Sequence, residues 1–145
     1  MDKKIFALMG IFVIVMIGCA YAADSADSSN STVTISGINF TIPEGLTENV
    51  GEEKINESGS EEGYNYLTNQ KTFVSGDYIL EISVSSYEQN MSDDYLNDTG
   101  KEATINNVAG RIENLGFLVL FSYVQDGKVV VITSNDKSVI EKVLA

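Results

Sequence analysis

Histidine and tryptophan are absent from these 145 residues, cysteine and proline occur once each, and only 9 lysines and arginines stand against 21 acids. Without histidine there is no Ser-His-Asp triad, no Cys-His pair, no imidazole base and no zinc site of the usual kind. The one thiol, Cys19, lies in an N-terminal apolar run, so the rest of the chain has to hold together without a disulfide. A formal net charge of -12 argues against a nucleic-acid binder, which needs a basic face.

The N-terminus carries an address. Lys3 and Lys4 precede an uncharged run from Ile5 to Ile17, and small residues then lead to Ala20-Tyr21-Ala22. That is the order of a secretory signal peptide over residues 1–22, cleaved after Ala22, and the apolar core is short for a membrane span. Two alternatives stay open. Ile17-Gly18-Cys19-Ala20 is close to a lipoprotein-processing motif, with Met16 where leucine is usual, which would lipidate Cys19. The leader could also be retained as an anchor. In each case the remaining chain is extracytoplasmic, secreted or at the cell surface, and meets membrane only through its N-terminal segment.

Residues 23–31 (ADSADSSNS) read as a flexible polar stalk. Residues 32–145 then form a single domain. Val33 and Ile35, then Ile38, Phe40 and Ile42, alternate with polar residues about Ser36-Gly37, as two strands across a tight turn do. The acid-rich stretch Glu44 to Gly63 shows no apolar period and reads mostly as an exposed loop. Tyr64 to Phe73 and Tyr78 to Ser86 form the next pair of strands. In the second, Tyr78, Leu80, Ile82 and Val84 share one face, leaving Glu81, Ser83 and Ser85 on an expected wet side.

Ser92 to Gly100 reads as a short helical turn capped by Ser92. Short strands follow about Asn106-Asn107. Gly116 to Val124 and Val129 to Ile132 are apolar on both faces and meet at Asp126-Gly127, a strong hairpin signal. Ser134 or Asn135 is expected to cap a final helix that presents Val139, Ile140, Val143 and Leu144 on one face. The fold class is therefore α+β: an antiparallel sheet of about five to seven strands with a C-terminal helix packed on one face.

The stretch Ile35-Ser36-Gly37-Ile38-Asn39-Phe40-Thr41-Ile42-Pro43-Glu44-Gly45 resembles the opening of small exported PsbP-like domains. The segments Thr104 to Gly110 and Phe121 to Ile132, with the helix containing Ile140, are similar to small secreted proteins of methanogenic archaea whose function is unknown. The resemblance implies a sheet flanked by helix and an exported location. It transfers no catalytic residue.

Five Asn-x-Ser/Thr sequons occur. Asn30, Asn56, Asn90 and Asn97 fall in expected loops or at a helix edge, where glycosylation is feasible, whereas Asn39 sits on a strand. Asp93, Asp94 and Asp98, and separately Glu52, Glu53 and Glu57, cluster in sequence and are weak calcium candidates without the loop order of a specific site. Arg111, the only arginine, shares a strand face with Ala109 and Glu113; its reading is a surface residue whose stem covers apolar area, with an anion contact as the sharper option. Tyr64, Tyr66 and Tyr78 read as core and rim packing, or else as a sugar- or peptide-binding platform. No cofactor is implied. The expectation is a non-catalytic, exported interaction or envelope-accessory domain of unknown partner, with a membrane-tethered small-ligand or cation-binding domain as the alternative.

Overall fold

The structure, a computed structural model, describes residues 29–145. The leader, Cys19 and most of the stalk lie outside the described residues. Ten strands and one short helix make up the fold, more strands than the five to seven expected. The α+β class holds in its coarse form, as mostly antiparallel sheet with a single C-terminal helix.

The first hairpin, β1 (Ser31–Ile35) and β2 (Ile38–Ile42), forms a two-stranded sheet of its own. Its turn places Ser36 and Gly37 at φ 51° and 82°, the double positive φ that a type I′ turn demands. Then come β3 (Thr47–Glu48), β4 (Lys54–Glu61), β5 (Tyr64–Val74), β6 (Ile79–Tyr87), β7 (Lys101–Ile105), β8 (Val108–Leu115), β9 (Leu118–Gln125) and β10 (Lys128–Ser134). These make one eight-stranded antiparallel sheet in the order β3-β5-β6-β10-β9-β8-β7, with β4 also paired to β5. The β7–β8 and β9–β10 turns repeat the type I′ signature at Asn106-Asn107 and Asp126-Gly127. So does the β4–β5 turn at Glu62-Gly63, inside the stretch expected to be a loop. That expectation failed because β4 is exposed along most of its length and is held by main-chain pairing with β5, which leaves no apolar period to read.

On one face, Leu80, Ile82 and Val84 of β6, Val130 and Ile132 of β10 and Phe121 and Tyr123 of β9 form the main core. The cover is double: the β1–β2 hairpin contributes Ile35, Ile38, Phe40 and Ile42, and α1 (Lys137–Val143) contributes Val139, Ile140 and Val143. Lys128 Nζ donates to Ser36 O at 2.6 Å and ties the hairpin turn to the sheet. The helix cap is neither Ser134 nor Asn135. Asp136 Oδ1 accepts from the Ser138 amide at 2.8 Å, and hydrogen bonding to the Ser138 side chain, then to its amide, holds the Asp136 carboxyl below its ordinary range. Ser134 is taken by a bond from its Oγ to Ile79 O, and Asn135 accepts from the Ile79 amide, so both serve to pin the helix start to β6.

The opposite face is covered over β9 and β10 by the segment between β6 and β7. Met91 and Leu96 lie on Leu120, Val129 and Val131 in a second, smaller cluster. Asp93–Leu96 within it is a single 3-10 turn, and Ser92 makes no side-chain cap: its carbonyl oxygen accepts from the Tyr95 amide instead. Among the described residues no helix is long and apolar enough to cross a membrane.

Candidate functional site

The expected wet side of β6 is not wet. Directly opposite residues of neighbouring strands share a face, so the register assembles side chains row by row. Glu81 stands between Thr72 of β5 and Thr133 of β10. In the next row Ser83 stands between Gln70 and Val131, and Lys54 of β4 lies beyond Gln70. All five polar residues at the centre of this arrangement are buried: Ser83 is 1% exposed, Glu81 and Thr133 3%, Gln70 4% and Thr72 6%. Strand alternation reveals which residues share a face but not what lies above them, which is why the expectation failed.

Four atoms on this floor are buried without a hydrogen-bond partner: Gln70 Oε1, Thr72 Oγ1, Ser83 Oγ and Thr133 Oγ1. Burial also pushes the Glu81 carboxyl up to about 8; the Lys54 ammonium pulls it back and the Glu52 carboxylate adds to the rise. At neutral pH Glu81 is therefore a protonated acid that can donate as well as accept. The floor as a whole is uncharged, rich in hydroxyl and amide groups, and unsatisfied.

Along β5 and β6 the floor continues to a hydroxyl pair and then to aromatic rings. Thr68 Oγ1 and Ser85 Oγ are 2.8 Å apart. Next, Tyr66 faces Tyr87 with ring centroids 5.1 Å apart, and Tyr95 packs edge-on to Tyr87 at 5.4 Å. Tyr95 donates to Glu61 Oε2 at 2.7 Å, and its hydroxyl is 3.2 Å from that of Tyr87. Burial raises the Tyr87 phenol to about 12 and pushes Tyr95 up as well. The Tyr66 ring lies against Gly59, where any Cβ would collide with it, so the glycine is what admits the ring. Tyr64 packs at the margin of the second cluster, whereas Tyr78 is exposed and joins neither group.

A second concavity, of about 440 Å³, lies beside β7 and β8 and is lined by Asp93, Asn97, Glu102, Thr104 and Arg111 among others. Arg111 is partly buried, with its side chain 16% exposed at the edge of this concavity. Its Nη2 donates to Asn97 Oδ1 at 2.8 Å and sits 3.6 Å from Glu102 Oε1. Because its guanidinium is engaged on both sides, this cleft offers an incoming group less than the Glu81 floor does.

The remaining sequence candidates scatter. Asn97 Nδ2 donates to Asp94 Oδ1 at 3.3 Å, and among the described residues no group of three or more potential ligands gathers for a metal, whether from Asp93, Asp94 and Asp98 or from Glu52, Glu53 and Glu57. Glu53 instead pairs with Lys71 at 3.1 Å, and Glu57 with Lys54 at 3.4 Å. The sequon asparagines Asn30, Asn39, Asn56, Asn90 and Asn97 are all exposed, but Asn56 lies on β4 and not in a loop. Thr99, the hydroxyl residue of the Asn97 sequon, is buried with Oγ1 donating to Leu96 O at 2.8 Å. Sequence reasoning missed the Glu81 floor. The available signal was an acid inside the apolar run Ile79-Leu80-Glu81-Ile82, together with hydroxyl residues at the matching positions of β5 and β10.

No family model matches this chain, and neither a curated protein nor a solved structure matches it, so the geometry alone carries the functional reading.

Proposed function

We propose that this is an exported, non-catalytic binding domain that works at the cell surface or in the surrounding medium and holds a small polar ligand on the floor around Glu81. The observation that carries the reading is the set of four buried, unpartnered polar atoms of Gln70, Thr72, Ser83 and Thr133. Each is a polar group whose partner the fold itself does not supply and a bound polar ligand would. The signal-peptide pattern of residues 1–22 and the PsbP-like opening at Ile35 to Gly45 support export, and the acid excess supports solubility away from anionic surfaces.

Native mass spectrometry of protein recovered separately from the medium and the membranes of its host tests both halves. A species beginning at Ala23 with a non-covalent small-molecule adduct, lost in Ser83→Val/Thr133→Val, is the expected result. Lipid on Cys19 or retention of Met1 would replace the released form with a tethered one. Absence of any adduct whose loss follows the floor variants would sink the binding site.

A further inference from the structure

We infer that the concavity beside β7 and β8 is a second binding site, and that it takes a zwitterionic aliphatic amino acid, with the ligand's carboxylate on Arg111 and its ammonium toward Glu102 and Asp93. The inference does not depend on the Glu81 floor. Val131 and Ser122 stand between Ser83 and Arg111 along their row, so the two sites can be tested apart.

The concavity owes its room to small residues. In the β7–β8 hairpin Glu102 faces Arg111 and Thr104 faces Ala109, on one face of the sheet. Asp93 and Asn97, from the segment between β6 and β7, form the opposing wall. Ala103, Ala109 and Gly110 line the space with little side-chain volume. Gly110 has no substitute, because a Cβ there would collide with the Ser122 carbonyl oxygen. At about 440 Å³ the concavity falls within the roughly 300–1,000 Å³ typical of small-molecule sites.

Charge selects the ligand. Arg111 is the one cation lining the concavity, against the two carboxylates of Asp93 and Glu102. Both contacts of its guanidinium fall on Nη2, the bond to Asn97 Oδ1 and the 3.6 Å approach of Glu102 Oε1. They fix the group in place without using it up: among the described residues, Nε and Nη1 have no hydrogen-bond partner. A planar carboxylate is the acceptor that such a fork fits. The Glu102 side chain is 85% exposed, so it can swing aside from Nη2 and meet the ammonium of the same ligand. A simple anion would face Asp93 and Glu102, and a simple cation would face Arg111; a carboxylate and an amine on one carbon satisfy all three. Leu96, Ala103 and Ala109 make the rest of the lining apolar, as an aliphatic side chain requires.

The test is isothermal titration calorimetry of the full chain with leucine, with isocaproate, which lacks the amine, and with leucinamide, which lacks the carboxylate. Leucine should bind, and each analogue should bind at least about tenfold more weakly, the loss expected for one charge-assisted contact. Arg111→Gln should weaken leucine by a similar factor. Ala109→Phe fills the concavity from an exposed position of β8 and leaves the Arg111 contacts in place, so it should abolish leucine binding even if Arg111→Gln fails to fold. Ser83→Val should leave leucine binding unchanged. Equal binding of isocaproate or leucinamide would overturn the zwitterion. Loss of leucine binding in Ser83→Val would move the ligand to the Glu81 floor, and no leucine heat up to about 10 mM would remove the second site while leaving the floor untouched.

Discussion

The two faces of the sheet are built from the same strands and differ in how their polar groups are settled. On the face under the hairpin and α1, Leu80, Ile82, Val84, Val130 and Ile132 meet apolar side chains, and the polar atoms at its margin find partners, as Asn69 does in donating to Ser36 Oγ at 3.0 Å. On the other face, one residue along each strand, Glu81, Ser83 and Thr133 are buried just as deeply and their neighbourhood holds four unpartnered atoms. One face is thus optimised for stability and the other is not. Burial as such does not distinguish the two faces; unsatisfied burial does.

Substitutions at matched positions sharpen that contrast. The largest loss is expected at Phe121, fully buried on the apolar face: Phe121→Ala should cost about 3–5 kcal/mol in denaturant unfolding. A loss below about 1 kcal/mol would mean that the hairpin and helix do not close this face as described.

Glu81→Gln should act in the opposite direction. In the unfolded chain the carboxyl titrates near its ordinary 4.5 and in the folded protein near 8, so the folded state holds an extra proton between those values. The contribution of Glu81 to stability is therefore fully present at acid pH and is lost as pH rises through about 8. Lys54 and Glu52 are the charged groups that modulate it. At pH 7 to 8 Glu81→Gln should be more stable than wild type by on the order of 3 kcal/mol, with the gap closing toward pH 4.5. A pH-independent difference between the two proteins would contradict the buried, neutral acid.

A mirrored pair on β10 comes next. Val130→Thr places a hydroxyl on the apolar face and should cost about 2 kcal/mol, whereas Thr133→Val removes an orphaned one and should gain about 1 kcal/mol. Equal signs for the two would abolish the distinction between the faces. The smallest effect belongs to the lid: Asp136→Ala removes the side-chain cap of α1 and should lower stability by about 1 kcal/mol, read as a small drop in the urea midpoint at unchanged m.

Much of this fold was legible because its strands announce themselves locally. Ser36-Gly37, Asn106-Asn107 and Asp126-Gly127 each sit at the turn that their residue types favour, and the two-sided apolar strands β9 and β10 are covered on both faces as their composition demanded. What escaped was information held by other parts of the chain. Strand β4 escaped because an exposed edge strand needs no apolar alternation. The true cap escaped because Ser134 and Asn135 are drawn off to β6 by bonds across more than fifty residues. The floor escaped for the same reason: Glu81 acquires Thr133 as a neighbour only through pairing of β6 with β10, which no local pattern encodes.

That β6–β10 seam has a consequence for the order of assembly. The sheet is two locally wound ribbons, β4 to β6 and β7 to β10, each closed by short connections, zipped along a single boundary whose formation must gather the chain between Tyr87 and Lys128. Local ribbons form readily, and joining them carries the loop-closure entropy, so the seam belongs to the late, rate-limiting part of folding. Both polar rows cross it. Neither ribbon alone contains the floor, so the proposed binding site does not exist in a nascent or partly unfolded chain. The floor and the complete fold arrive together, and amide protons along β6 and β10 should exchange only when the whole domain opens.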